Sequence, residues 1–298
     1  MKHRDTFSSY HPVISFLYFA LVLVFTMFFM HPVSLLISLA SALTYAIYLN
    51  GGKAVRFSLA ALLPMMLMAA LVNPVFNHEG MTILTYLPTG NPLTLESIIY
   101  GAASALMLAA VIVWFSCYTA VMTSDKFVYL FGRAIPAMSL VLSMTLRFVP
   151  KFRAQFKVVS QAQASVGRDV SDGSLLQRMK NAITILSIMV TWALENAIET
   201  ADSMKSRGYG LPGRTAFSIY RFDDRDKTAL AWLAFCGFYI AAGWMAGGLK
   251  WQYYPIIKGT LTGAFPVSFQ LVYLALCLTP VIINGSEDRK WKHLPSKI

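Results

Sequence analysis

Two short arginine-containing sequences carry the side chains best suited to binding a partner protein. They read Ser165-Val166-Gly167-Arg168 and Ser206-Arg207-Gly208. A guanidinium donates several hydrogen bonds in a fixed plane, so it suits carbonyl or carboxylate groups in a partner's groove. The same residues also suit an ordinary helix end, because glycine caps a helix and arginine complements its dipole. We favour the docking interpretation because the pattern occurs twice.

An amphipathic segment that begins at Lys151 precedes the first of these sequences. Phe152, Phe156 and Val159 recur at helical spacing. Gly167 is well placed to end the helix, because glycine takes the left-handed capping conformation cheaply. Upstream, the largely apolar segment between Pro136 and Pro150 has 13 residues, too few to cross a bilayer, and is expected to be buried or interfacial. The sequence therefore predicts a helix that starts after Pro150 and ends at Gly167.

A second helix is predicted to position Arg207. Asp172 or Ser174 would cap its start, and it would run from Leu175 to Arg207, roughly 50 Å at 1.5 Å per residue. Its apolar centre, Ile183–Leu194, has the length of a buried helix rather than of a membrane span. An acidic face formed by Glu195, Glu199 and Asp202 excludes the C-terminal end from hydrocarbon.

The rest of the chain has the composition of a membrane protein. Hydrophobic residues make up 56% and charged residues only 13%, about half the charge of a soluble domain. Six apolar runs are long enough to cross a bilayer as helices. We predict an all-α polytopic membrane protein with long cytoplasmic coupling helices and these spans: Val13–Met30, Val33–Leu49, Phe57–Val72, Ser97–Met122, Thr228–Gly247 and Phe265–Ile283.

The basic residues indicate the orientation of these spans. Of the 25 lysines and arginines, all but Lys250 and Lys258 fall on one predicted side. The positive-inside rule makes that side cytoplasmic and places both termini there. We predict a membrane region at 1–123, a cytoplasmic region at 124–227, and a second membrane region with a tail at 228–298. The net charge of +11 is thereby explained by topology, and no nucleic-acid partner is expected.

Catalytic and metal-binding patterns are missing from the sequence. No G-x-x-x-x-G-K-[ST] phosphate loop and no H-E-x-x-H motif occurs. The three cysteines lie in apolar runs without ligand spacing, and His78-Glu79 in the outer loop offers too few metal ligands for a site. We expect no cofactor, no metal and no enzymatic activity, and a hairpin or re-entrant turn in that loop. The spans nearly lack ionisable residues, which disfavours the alternative of a stand-alone carrier or channel.

Four segments resemble the transmembrane T component of energy-coupling factor transporters, the CbiQ-like family. The segments are Asn73–Gly80, Leu146–Pro150, the pair Ala162-Gln163, and Ala201–Tyr209, which includes Asp202. The resemblance covers most of the chain and is most specific in the region between the fourth and fifth spans.

The resemblance implies a non-catalytic subunit in the cell membrane of a prokaryote. Such a subunit joins two cytoplasmic ABC ATPases to a membrane S component that captures a vitamin or a metal ion. In the family, two Ala-Arg-Gly triplets dock into grooves on the two ATPases. The second triplet matches here as Ser206-Arg207-Gly208. The first departs from the pattern as Ser165-Val166-Gly167, with the arginine displaced to Arg168.

Overall fold

A computed structural model describes residues 5–86, 91–132, 135–209, 211, 220–259 and 263–293. Within these ranges the regular secondary structure is helical apart from two short hairpins, so the predicted all-α fold is confirmed. The helices are α1 (Pro12–Phe28), α2 (Pro32–Asn50), α3 (Gly52–Phe57), α4 (Leu63–Phe76), α5 (Leu95–Val121), α6 (Ser124–Gly132), α7 (Pro136–Ser165), α8 (Leu175–Ser206), α9 (Asp224–Met245) and α10 (Ala264–His293). The strands are β1 (Ile83–Tyr86), β2 (Pro92–Thr94), β3 (Trp251–Gln252) and β4 (Lys258–Gly259).

The chain divides into two compact units. Unit 1 comprises Met1–Thr123 and Tyr220–Ile298, and unit 2 comprises Ser124–Ile219. Unit 1 contains α1–α5, α9 and α10, and unit 2 contains α6, α7 and α8.

Six helical segments in the described part of the chain are long and apolar enough to cross a membrane. Four of them, α2, α5, α9 and α10, correspond to the predicted spans 2, 4, 5 and 6. The predicted span 1 corresponds to α1, which is a shorter apolar helix of 17 residues. The third span is longer than predicted: it runs as Ala54–Phe76 through a π-helical turn at Ser58–Leu62. The sixth such helix is α8, which the sequence assigned to the cytoplasm.

Two prolines do not end helices where the sequence suggested. Pro74 lies inside α4, which continues to Phe76, and Pro150 lies inside α7, which runs unbroken over 30 residues. A proline removes one backbone donor, and the neighbouring turns of a long helix can absorb that loss. The predicted boundary at Pro150 is therefore wrong.

Aromatic side chains fill the core of unit 1. Phe7 packs edge-on against Tyr18 and Tyr45, with ring centroids 5.2 and 6.5 Å apart. Phe19 and Trp114 join this cluster at 6.3 Å. All five are almost fully buried, so this contact ties the N-terminal segment to α1, α2 and α5. The three cysteines are also buried and free, as the sequence predicted.

A hydrogen-bonded polar cluster lies inside this apolar core. The Thr26 hydroxyl is 2.8 Å from the Ser38 hydroxyl and 3.0 Å from that of Tyr273. The Trp114 indole N–H donates to Ser38 Oγ at 3.0 Å. Buried polar groups are costly unless they are paired, so this cluster fixes the relative positions of α1, α2, α5 and α10.

The first two helices begin with the same cap. His11 and His31 each precede a proline at the first helical position, and each accepts the N–H of the residue two places on at Nδ1, at 3.3 Å. Proline suits this position because its missing N–H would have no partner there. Only a deprotonated Nδ1 can accept such a bond, so both caps require neutral imidazole at that atom.

The loop between α4 and α5 forms an antiparallel hairpin of β1 and β2, as expected for this segment. Glu96, the second residue of α5, accepts from the Thr82 hydroxyl at 2.8 Å and from the Thr82 N–H. Gly80 lies so close that a Cβ there would be 2.7 Å from the Glu96 carboxylate. The hairpin is therefore fastened to the start of α5.

Candidate docking site

Unit 2 is built around the packing of α7 on α8. Val159 of α7 is buried with Ile185 and Met189 of α8. The Phe152 ring meets the Trp192 ring edge-on at 5.2 Å, and the Lys151 ammonium lies 5.4 Å from the centre of the same indole. A hydrophobic contact and a cation–π contact therefore hold the middle of the two helices together.

The α7 and α8 helices pack antiparallel to each other. Phe152 meets Trp192 early in α7, whereas the loop that follows α7 meets α8 near its start. There the Asn181 amide donates to the Asp169 carbonyl at 2.8 Å. Ser206 lies about 25 residues further along α8, or roughly 38 Å at 1.5 Å per residue. The two arginine-bearing ends therefore lie at opposite ends of the helix pair.

The loop after α7 is held to α8 by Arg178 as well as by Asn181. Arg178 donates from Nε to the Val170 carbonyl at 3.1 Å and from a terminal nitrogen to the Ser171 carbonyl. The Ser171 N–H donates to the Asp169 carboxylate at 3.0 Å, and this bond lowers the pKa of Asp169 below its usual range. Ser174 then caps α8 by accepting from the Gln177 N–H at 3.4 Å, as the sequence predicted.

The first end, defined here as tip 1 (Ser165–Arg168), closes α7 with a glycine cap. Gly167 has φ of 77°, and its N–H donates to the Ala164 carbonyl at 2.9 Å. The Arg168 N–H donates to the Gln163 carbonyl at 2.9 Å. This pair of bonds is the Schellman arrangement. No atom lies within 4 Å of a Cβ built at Gly167, so conformation rather than space requires glycine there.

The second end, tip 2 (Ser206–Gly208), closes α8 with the same arrangement. Gly208 has φ of 78°, and its N–H donates to the Lys205 carbonyl at 3.0 Å. The Tyr209 N–H donates to the Met204 carbonyl at 3.0 Å. The capping position before the glycine is held by Arg207.

The shared cap fixes how the two tips correspond. Gly167 matches Gly208, so Val166 matches Arg207 and Arg168 matches Tyr209. The two arginines consequently occupy different places relative to the cap. The sequence shows the offset but not that the backbones are equivalent, which only the hydrogen bonds reveal.

The side chains at both tips are exposed. Arg207 and Arg168 are exposed, neither guanidinium has a hydrogen bond or ion pair to a described residue, and Val166 is 71% exposed. Ala162, Ala201 and Asp202 are exposed as well, whereas Gln163 is half-buried and its Oε1 has no partner among the described residues. The structure thus brings the twelve predicted residues to two separate surfaces, six at or beside tip 1 and six at or beside tip 2.

A feature that sequence reasoning missed is an exposed apolar stripe on α8. Five side chains at helical spacing are between 50% and 64% exposed: Ile183, Leu186, Val190, Leu194 and Ile198. The opposite face of α8 carries Ile185, Met189 and Trp192 against α7. The centre of α8 was expected to be buried, but apolar residues on both faces leave one face uncovered. This also explains why α8 is apolar enough to qualify as a span.

Within the described ranges, no group of three or more His, Cys, Asp and Glu side chains is placed to hold a metal ion. What the arrangement offers is two exposed helix ends, each with hydrogen-bond donors, and one apolar face between them. With their long apolar helices, the two units define a polytopic membrane protein.

Comparison with known proteins identifies the family. Residues 6–217 match the CbiQ family, described as a cobalt transport protein, and the chain belongs to that family. The resemblance seen in the sequence is thereby confirmed.

Individual relatives match over shorter segments. The chain is 36% identical over 104 residues to the energy-coupling factor transporter transmembrane protein EcfT of Lactobacillus helveticus, covering 35% of this chain and 38% of the relative. It is 34% identical over 112 residues to the protein of the same name in Bacillus selenitireducens, covering 37% and 42%. The matched segment therefore spans about two fifths of the length of these curated relatives.

Proposed function

We propose that this protein is the membrane-embedded coupling subunit of an ATP-driven importer of the energy-coupling factor type. The observation that carries the proposal is the pair of exposed, glycine-capped helix ends at opposite ends of one helical unit. Family membership and the names of the relatives support it. The subunit itself performs no catalysis, and partner subunits hydrolyse the ATP.

Two cytoplasmic ABC ATPases bind unit 2, one at each tip. At tip 2, Arg207 inserts into a groove of one ATPase and donates to carbonyl or carboxylate groups, with Ser206 and Gly208 allowing close approach. Asp202, Ala201 and Tyr209 flank this contact. At tip 1, Ser165, Val166, Gly167 and Arg168 face the other ATPase, flanked by Ala162 and Gln163. The separation of roughly 38 Å along α8 leaves room for two partners.

The apolar stripe on α8 receives the substrate-capturing S component, a small membrane protein that binds a vitamin or a metal ion. Exposed apolar patches of this kind mark protein or membrane contacts. Within α8 the apolar centre is flanked by Arg178 and Lys180 on one side and by Glu195 and Glu199 on the other, so this centre suits a partner at the membrane surface.

The chain resides in the cell membrane of a prokaryote with both termini in the cytoplasm. The positive-inside rule supports this orientation, because Lys250 and Lys258 are the only basic residues on the opposite side. The middle region, predicted at 124–227, then lies where ATPases can reach it, and the regions 1–123 and 228–298 anchor it.

The mechanism is mechanical. ATP binding draws the two ATPases together and thereby moves the tips of α7 and α8. Because the S component contacts α8, a change in the direction of α8 changes the contacts that hold the S component. Coupling requires that these contacts differ in free energy between the two states.

The test is to isolate the full-length protein from its native host in mild detergent and identify what accompanies it. We expect two ABC ATPases and one or more small membrane proteins, and ATP-dependent uptake only when all are reconstituted together in vesicles. Transport by the chain alone would instead establish the stand-alone carrier or channel and overturn the proposal.

A further inference from the structure

An apolar groove in unit 1 has an arginine at its mouth. The groove has a volume of about 600 Å³ and lies between the 3-10 turn Phe7–Ser9, α1, α9 and α10. Its interior is lined by apolar side chains, among them Phe7, Ile14, Leu233 and Ile283. This volume is in the range of about 300–1,000 Å³ that is typical of small-molecule sites.

The polar groups of Thr228, Trp232 and Thr279 in the groove are bonded within the chain. The Trp232 indole N–H donates to Thr279 Oγ1 at 3.2 Å, and the Thr279 hydroxyl donates to the Ala275 carbonyl at 2.8 Å. The Thr228 hydroxyl donates to the Asp224 carbonyl at 3.0 Å. The interior therefore presents apolar surface to an occupant, and Arg225 is the one charged residue among those that line it.

Arg225 is held in place but not neutralised. Its guanidinium lies 4.6 Å from the centre of the Tyr10 ring, a cation–π contact, and it has no carboxylate partner in the part of the chain that the structure describes. Neighbouring cations are different: Lys227 is paired with Asp224 at 2.7 Å, and Lys290 with Glu287 at 3.0 Å. Of Arg225, Lys227 and Lys290, only Arg225 is therefore without a carboxylate partner in the described structure, and it lines the groove.

The groove lies at one end of the helices of unit 1. Phe7 precedes α1 and Ile14 is in its first turn. Arg225 and Trp232 are in the first turns of α9, and Ile283 lies two thirds of the way along α10. These are the places where apolar segments give way to charged ones, which is the level of the lipid headgroups. Tryptophan is enriched at that level.

We propose that this groove binds an anionic phospholipid, with one acyl chain among its apolar side chains and the headgroup phosphate on Arg225. A guanidinium binds phosphate through two parallel hydrogen bonds. The proposal requires only that unit 1 is embedded in a bilayer, and it is independent of the ATPase and S-component partners.

The first test uses the purified full-length protein in detergent, supplied with phosphatidylglycerol or phosphatidylcholine and measured by native mass spectrometry. We expect one phosphatidylglycerol to be retained in preference to phosphatidylcholine. Arg225→Gln should lower its retention by about fivefold, the effect of one basic residue near an anionic lipid surface. The control Lys227→Gln, which removes an exposed and already paired cation, should retain the lipid as the unaltered protein does. Equal retention by Arg225→Gln would overturn the proposal.

A second measurement locates the acyl chain without depending on the arginine. Phosphatidylglycerol with brominated acyl chains should quench Trp232, so Trp232→Phe should remove a distinct part of the total quenching. Excess inorganic phosphate should not displace the lipid, because it lacks the apolar part. A photocrosslinker placed at Ala229 should capture lipid in membranes. Displacement by phosphate, unchanged quenching in Trp232→Phe, or crosslinking to a protein helix instead of lipid would each reject the assignment.

Discussion

Gly167 and Gly208 hold the same left-handed backbone, with φ of 77° and 78°, and each closes the same pair of capping hydrogen bonds. The residue before the glycine is Val166 at tip 1 and Arg207 at tip 2. The two tips are therefore alike in backbone and unlike in the side chain that the cap presents. The first predictions follow from this difference.

Reversing the charge of Arg207 should release one ATPase. We expect Arg207→Glu to weaken its association by about tenfold or more, because attraction to the partner's groove becomes repulsion. Coupled uptake should be lost, while yield and membrane insertion stay unchanged, since Arg207 is exposed and has no partner in the described structure. Co-purification with both ATPases measures the effect. Arg168→Glu should weaken binding less; equal losses would show that position relative to the cap is irrelevant.

Supplying the missing arginine at tip 1 should strengthen binding there. Val166 is 71% exposed and occupies the capping position that corresponds to Arg207. Val166→Arg should therefore tighten association of the ATPase at tip 1 by several-fold, measured by the salt concentration needed to release it. Val166→Gln, which is comparable in length but uncharged, serves as the control. A gain of the same size in Val166→Gln would contradict the role of charge.

The apolar stripe on α8 should be needed for the S component and not for the ATPases. Leu194 is 62% exposed, so Leu194→Asp removes little packing within the chain but places a charge in the proposed interface. We expect the S component to be lost in detergent while both ATPases remain bound. Arg207→Glu is the reciprocal control and should lose one ATPase while keeping the S component. Retention of the S component by Leu194→Asp would contradict this role of the stripe.

Two serines on one face of α2 should differ in their contribution to stability. Ser38 accepts from the Trp114 indole and bonds to Thr26, whereas the Ser34 hydroxyl is buried without a partner in the described structure. Ser38→Ala should lower the free energy of unfolding by about 1–2 kcal/mol, because it leaves buried groups unpaired. Ser34→Ala should leave it unchanged or raise it. Thermal unfolding in detergent distinguishes the two, and equal effects would contradict the importance of the polar cluster.

The cap of α1 should make stability depend on pH. Burial lowers the pKa of His11, and the nearby Asp226 carboxylate only partly opposes this. The unfolded chain therefore binds a proton first, so stability is constant above the ordinary value of about 6.5 and falls as the pH drops below it. His11→Asn should flatten the curve, because asparagine caps a helix without titrating. His78→Asn, in the outer hairpin loop, should keep the slope; a flattened curve there would contradict the assignment to His11.

Much of unit 2 is predictable because the ends of its helices are marked by capping residues. Ser174 and Gly208 bracket α8, and the predicted helix differs from the observed one by a single residue at its C-terminus. Prolines were less informative. Pro150 suggested a boundary, but the flanking turns of α7 retain enough hydrogen bonds to continue the helix.

Features that depend on residues far apart in the chain were not predictable. The lipid groove combines Phe7, Arg225 and Ile283, which no sequence pattern connects. The exposed face of α8 was missed for a related reason, because an apolar run does not reveal which of its faces is covered by a neighbour. Such features require the packing itself.

Both tips are the carboxyl-terminal ends of their helices, and α7 and α8 run in opposite directions. The outward-facing carbonyls of each helix give its tip a partial negative charge. A partner that binds either tip therefore meets the same helix-dipole polarity and the same glycine-capped backbone. One kind of partner protein, bound twice in opposite orientations, is sufficient to hold both ends of the α7–α8 pair.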